Sequence, residues 1–421
     1  MKNWILKDIE PKLDSSQYGN RLGTGTEHLL ISLVDRILKL LDENNKSAVI
    51  ASLLDWSSAF DRQDPTLAVK KFLEIGIRTP LIPVLVSYLS DREMQVKYKG
   101  SLSETHHLPG GGPQGTMIGL IEYMIQSNDN ADCVNPSDRF KFVDDLTLLE
   151  LVSISQCLSE YKFTDHVASD IGIGHDFLDP DTLRTQMNLD WIADWTKNNL
   201  MKLNEKKTNY MIFSRAEYEL TTRLNVNSEL IERTKAAKIV GVWLTEDLKW
   251  AKNTKEMCKK AYARMTMITK LKYVGTSRED LLEIFVLYIR SLLEYCCTVW
   301  HSSLTIEQQN NIENVQKLGL KIILGKDYTT YEDALKLASL QTLRERREIR
   351  CLKFGLKSLL HSNHSKLFPL NPQLNVYNTR NPEHFLVNKA TTEQYRNSTI
   401  PFVQRMLNSY VQNKMNYNFV D

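Results

Sequence analysis

At 421 residues the chain is long enough for two or three domains, because a single hydrophobic core stops growing at roughly 250–300 residues. Its 42% hydrophobic and 25% charged content is that of a globular protein, and no apolar run approaches the roughly 18–20 residues that a membrane span needs. The net charge of +2 hides an asymmetry: residues 195–275 carry 17 lysines and arginines against 8 aspartates and glutamates, a local +9 that leaves −7 elsewhere. That pattern fits a polyanion-binding face joined to an acidic site, and equally a solvated lysine-rich surface.

The opening MKNWILKDIEPKLD scatters charge through its only apolar part, which argues against export. Six cysteines, Cys133, Cys157, Cys258, Cys296, Cys297 and Cys351, form no Cys-x-x-Cys pair and have no His at finger spacing. They are expected as reduced thiols of an intracellular protein.

In chain order, Leu29, Leu30, Leu33, Val34, Ile37, Leu38 and Leu41 recur at helical spacing after Thr26, predicting a helix that ends near Asn44. SAVIASLLDWS reads as a buried strand carrying Asp55 at its far end. Asp64 and Pro65 supply an N-cap and a first-turn proline for a helix to about Gly76, and Pro80 starts another to about Ser90. Two short strands flank Lys99 and Gly100, and PGGGPQGTMIG is a glycine-rich loop entering a helix near Met117.

RFKFV and LTLLEL form a hairpin around Asp144 and Asp145. Residues 153–180 read as a connecting segment. A helix from Asp181 to Leu200 is expected to place Leu183, Met187, Trp191 and Trp195 on one face. NYMIFS and AKIVGVWL are strands, and the rest is helical over roughly Asn253–Leu271, Arg278–Trp300, Ile306–Leu324 and Leu340–His361. The arginines of QTLRERREIRCLKFGL read either as an RNA contact or, the favoured reading, as an exposed helix face laced with Glu345 and Glu348 pairs. From Leu370 the chain reads as irregular apart from a helix near Val403–Val411, so an α+β body precedes an all-helical domain.

The hairpin poses the chemical question. Two-residue turns favour Asn-Gly or Asp-Gly, whereas Asp-Asp-Leu brings like charges together and lacks the glycine. A bound cation would reverse that cost, and Mg²⁺ takes carboxylates together with waters and substrate phosphates. Asp55, at the end of a buried strand, is the best candidate for a further carboxylate. Each aspartate read singly is as well explained by a surface turn or a cap. Two divalent ions on such carboxylates would serve polymerase and nuclease chemistry alike.

From about Asp14 to about Gly325 the ordered motifs resemble the reverse transcriptases of non-LTR retrotransposons. QYGNRLGTGTEHLL is similar to their fingers motif, with Arg21 at its basic position and Asn20 where an aromatic is usual. LLDWSSAFDRQDP resembles the first palm motif, which implies a metal-binding Asp55 and, in Phe60, a ring beneath the sugar that would collide with a ribose 2′-hydroxyl. GGGPQGTMIG resembles the P-Q-G motif, implying that Gln114 contacts the nascent base pair while the Gly115 backbone admits close approach. FVDD matches the [FY]-x-D-D motif, giving Asp144 as metal ligand and Asp145 as supporting carboxylate. NLMKLNEKKTNYMIFS is similar to the L-x-L-N-x-x-K-T motif, making Lys207 a proton donor to leaving pyrophosphate.

The resemblance therefore implies a right-hand α+β polymerase fold: partial fingers over residues 1–50, truncated at the N-terminus, a palm over 51–250, a helical thumb-like domain over 251–365 and a largely irregular tail over 366–421. It implies Mg²⁺ or Mn²⁺, an RNA template, a DNA primer and dNTP, and a nuclear and cytoplasmic location. Two alternatives stay open: a remnant that binds nucleic acid without synthesis, and a metal-dependent nuclease, in which Gln114 and Phe60 have no obvious purpose.

Overall fold

The computed structural model describes residues 1–44, 46–153, 175–178, 184–215, 219–361, 364–372 and 384–413. Most of the connecting segment expected over 153–180 lies outside the described residues. Its described part, His175–Leu178, pairs in parallel with Glu219–Thr222. Among the described residues no helix is long and apolar enough to cross a membrane.

The chain divides into two compact units. Met1–Leu29 and Asn44–Lys235 form one, and Leu30–Glu43 joins Ala236–Asp421 in the other. Neither boundary falls at residue 50 or 250. The hairpin Ala236–Ile239 with Val242–Thr245, expected in the palm, belongs with the helices, as does most of the helix Thr26–Glu43.

The first unit is built on a five-stranded sheet: β1 (Ser47–Leu54), β2 (Arg139–Phe142), β3 (Asp145–Ser153), β4 (Asn209–Ser214) and β5 (Glu232–Arg233), in the order β5-β4-β1-β3-β2. β1 runs antiparallel to both β3 and β4, which explains its almost continuous apolar sequence: as the central strand it is covered on both faces. Side chains alternate across the sheet. Ala48, Ile50 and Leu54 of β1, with Leu146, Leu148 and Val152 of β3, share one core cluster with Leu189, Ile192 and Trp195 of the helix Arg184–Asn198.

That helix corrects the expected face. Trp195 is buried, but Met187 is 66% and Trp191 39% exposed, because the packed residues are Asn188, Leu189, Ile192, Trp195 and Thr196. A row at four-residue spacing rotates by about 40° per step, so it meets the buried stripe only at Trp195; Leu183 lies outside the described residues.

A second cluster joins the helices Lys2–Ile9, Pro65–Glu74, Ile82–Leu89 and Met117–Gln126 through Ile5, Phe72, Leu85 and Ile125. Asp64 caps Pro65–Glu74 as its sequence predicts, its Oδ1 accepting from the Leu67 amide at 2.8 Å.

The second unit is helical beyond its hairpin: Ala251–Tyr273, Ile306–Leu324 and Leu343–Leu359 are its longest elements. The single helix expected over Arg278–Trp300 is interrupted. It passes through a π segment, Phe285–Arg290, and breaks at Cys296, whose φ of +47° is left-handed.

The helix expected near Val403–Val411 is longer, Thr399–Asn413, and its Val403 packs against Gly355, where a Cβ would sit 2.6 Å from Cγ1; residues 373–383 and 414–421 of the tail lie outside the described residues. Buried Asn408 and Gln404 accept from the Phe385 and Asn388 amides, and Asp42 accepts from Thr391 and Thr392, so the extended chain is satisfied by side chains.

Candidate active site

One end of the five-stranded sheet gathers the acidic residues. β1 ends at Leu54, which pairs with Leu146 of β3, so Asp55 emerges beside the start of β3, at Asp145. The backbone around Asp55 is clamped by the segment before β4. The Asp55 amide donates to Thr208 Oγ1 at 3.3 Å, its carbonyl accepts from the Asn204 amide at 2.8 Å, and Trp56 bridges Leu203. This clamp carries Lys207 to the site, with Nζ 3.6 Å from Asp55 Oδ2. Oδ2 itself accepts no hydrogen bond.

The β2–β3 hairpin closes on two residues, Val143 and Asp144, between the paired Phe142 and Asp145. Val143 takes φ +59°, the left-handed conformation that a β-branched residue adopts rarely and that glycine supplies in ordinary hairpins. The strain inferred from the missing glycine thus falls on Val143, and it presents Asp144 and Asp145 at the tip.

Electrostatics tie the three carboxylates together. Asp145 is pushed up to about 6, first by loss of solvent around its carboxyl, then by the negative charges of Asp144 and Asp55. Tyr123, 1% exposed, feels the same pair: burial, then Asp144 and Asp145, raise its hydroxyl well above the ordinary phenol range. Among the described residues no group of three or more His, Cys, Asp or Glu side chains could hold a metal ion. The site is therefore no preformed protein cage.

The glycine-rich loop lies against the turn after β1. Gly111 and Gly112 amides donate to the Gln63 and Phe60 carbonyls, both at 2.7 Å, and Gln114 Nε2 donates to Asp61 Oδ1 at 2.6 Å. Gly115, at φ +76°, has open space around its α-carbon. Phe60 is half-buried and stacked on Tyr123, with centroids 4.8 Å apart and planes at 29°. Phe60, Gln114 and Gly115 are thus held on one pair of facing loops.

Arg21 departs from its expected place among nucleotide-binding residues. Its side chain is 7% exposed, pairs with Glu10 at 2.8 Å and donates to the Asp14 carbonyl at 2.9 Å. The guanidinium is engaged inside the N-terminal segment because Glu10 lies within its reach, a partner that motif spacing does not reveal. Conversely, the sequence reading missed Tyr123, the floor beneath Phe60. The signal available was an apolar-faced helix, Met117–Gln126, entered directly from the P-Q-G loop.

No family model matches the chain. Among curated proteins it is 24% identical over 337 residues to the probable RNA-directed DNA polymerase from transposon X-element of Drosophila melanogaster, covering 77% of this chain and 34% of that protein. It is 24% identical over 265 residues to the corresponding protein from transposon BS of the same organism, covering 61% and 26%. The chain is thus similar to RNA-directed DNA polymerases of Drosophila mobile elements. The chain spans about a quarter to a third of the length of the curated proteins it matches. Among solved structures it is similar to telomerase from Candida tropicalis in complex with a TWJ fragment of telomeric RNA, at 12% identity and TM-score 0.42, covering 99% of this chain and 55% of that one. Apo telomerase from the same organism gives 15% identity and TM-score 0.41, covering 86% and 53%.

Proposed function

We propose that the chain is an RNA-dependent DNA polymerase: it joins a deoxynucleoside triphosphate to a primer 3′-hydroxyl on an RNA template and releases pyrophosphate. The observation that carries this reading is the arrival of Asp55 at the same end of one sheet as the distant pair Asp144 and Asp145, where the charges of Asp144 and Asp55 help to raise Asp145.

The residues fit Mg²⁺ or Mn²⁺. Their donors are hard carboxylate oxygens, Asp55 Oδ2 accepts no hydrogen bond, and Mg²⁺ is ordinarily held by one or two carboxylates with waters and substrate phosphates rather than by an all-protein cage. Asp55 and Asp144 would hold the ions, with Asp145 in support; bound there, they would activate the attacking hydroxyl and stabilise the leaving oxygen.

The remaining roles belong to the chain. Phe60, braced from below by Tyr123, would exclude a ribose 2′-hydroxyl. Gln114 and the Gly115 backbone would line the nascent base pair. Lys207, whose ammonium lies 3.6 Å from Asp55 Oδ2, would give a proton to departing pyrophosphate. The lysine-rich stretch over 195–275 would hold template and primer by phosphate contacts, which makes affinity steeply salt-dependent. In this reading the sheet is the palm and the second unit is thumb-like.

A second reading, a remnant that binds nucleic acid without synthesis, draws on the inward-turned Arg21. Extension of oligo(dT) on poly(rA) with dTTP and Mg²⁺ or Mn²⁺ decides between them. Incorporation that Asp144→Asn abolishes is the result expected. Template binding with a steep salt slope and equal inertness of both proteins would establish the remnant, and template shortening would indicate a nuclease.

A further inference from the structure

The fingers motif contains two residues, Gln17 and Gly19, that the proposed chemistry leaves without a task. Both meet the strained turn. Lys141 of β2 donates its amide to the Ser16 carbonyl at 2.9 Å and accepts at its own carbonyl from the Tyr18 amide at 2.8 Å, so Ser16–Tyr18 runs beside β2 as an extra edge. Gln17 is only 4% exposed. Its Oε1 accepts two amides at once, that of Gly19 at 2.9 Å and that of Val143 at 3.2 Å.

Gly19 lies flat against the same residue, and a Cβ there would come within 2.7 Å of both the Val143 amide nitrogen and Cγ2. Only glycine lets the two backbones approach so closely. Beneath this contact Asp14 pairs with Lys141 at 2.7 Å and Arg139 at 3.1 Å, all three side chains buried, fixing β2 to the same segment.

A β-branched residue at φ +59° persists only where its surroundings over-determine it. We propose that Gln17 is a positioning residue: its carboxamide oxygen, with the close approach of Gly19, latches the Val143 turn and thereby fixes where Asp144 and Asp145 point. The latch is a property of the fold; its consequence for turnover rests on the polymerase reading. It explains why glutamine and glycine, two positions apart, stand so far in sequence from the aspartates they serve.

The test compares Gln17→Met, which keeps length and loses the acceptor, Gln17→Glu, which keeps an acceptor, and Gly19→Ala, which leaves Gln17 intact. Leu22→Ala, on an 80% exposed residue of the same segment, is the control. Hydrogen exchange of the peptide covering residues 139–148 reads the latch directly. The expected result is exchange faster by about five- to tenfold in Gln17→Met and Gly19→Ala, confined to the hairpin, with Gln17→Glu close to the parent.

In primer extension the same two variants should lose turnover by on the order of 10- to 100-fold, with template–primer affinity unchanged. Unchanged hairpin exchange in Gln17→Met, or faster exchange spread through the whole unit, overturns the latch. If the parent chain does not extend primers, the polymerase reading fails, and the exchange measurement still decides the latch.

Discussion

Phe60 stacks on Tyr123 with ring centroids 4.8 Å apart, and Tyr123 is buried next to the charges of Asp144 and Asp145. A ring proposed to discriminate sugars is thus set on the floor of the acidic site. Stacking fixes one face of Phe60, so it cannot drop to admit a 2′-hydroxyl. Phe60→Val should raise ribonucleotide use relative to deoxynucleotide use by about tenfold or more. Tyr123→Leu, which removes the stacking ring, should move the ratio the same way by less. Single-nucleotide incorporation with dTTP and UTP measures both, and an unchanged ratio in a polymerising Phe60→Val would remove this role.

Lys207 is exposed and its pair with Asp55 is long, so the pair contributes little to stability. Lys207→Met should leave the unfolding transition within about 0.5 kcal/mol of the parent. Its single-turnover incorporation rate should fall on the order of 10²-fold if the ammonium protonates the leaving group. A rate within twofold of the parent would exclude that role.

Asp14 is where burial makes charge costly. Lys141 and Arg139 are both buried, and both use Asp14. Asp14→Ala leaves buried Lys141 without its anion and Arg139 with only Asp132, and should destabilise the first unit by about 3–5 kcal/mol, read by urea unfolding. A loss below about 1 kcal/mol would show the pair to be dispensable.

Glu122, 1% exposed, has neither carboxyl oxygen hydrogen-bonded. Burial pushes it up to about 8 from 4.5, against a small opposing pull from Arg92. Because the folded chain keeps a proton that the unfolded chain releases, this group's contribution to stability falls as pH rises from about 4.5 to about 8. Glu122→Gln should remove that fall. Thermal unfolding at pH 5 and pH 8 checks it, and parallel pH dependence in parent and variant would refute it.

The readability of this fold from sequence follows the range of the interactions. The buried strand of β1, the Asp64 cap and the helix Ile306–Leu324 are written locally, in an apolar run, a carboxylate three residues from the amide that donates to it and a regular period. The aspartates were legible because Asp-Asp-Leu conflicts with hairpin chemistry, although the turn itself falls one residue earlier, on Val143 and Asp144.

What escaped depends on distant partners. Arg347, expected on an exposed face, is fully buried over Trp300, and Arg346 reaches Glu294, 52 residues away. Arg21 turns to Glu10, and Met187 and Trp191 point outward because the sheet meets a different stripe of their helix. No spacing rule names such partners before the chain is folded.

The central claim is that Asp55, Asp144 and Asp145 together hold divalent cations, and it can be measured without turnover. Electron paramagnetic resonance of Mn²⁺ titrated into the protein with template–primer and a non-hydrolysable dTTP analogue counts the bound ion directly. The account predicts bound Mn²⁺ in the parent and its loss in both Asp55→Asn and Asp144→Asn. Equal binding in the parent and both variants would contradict it.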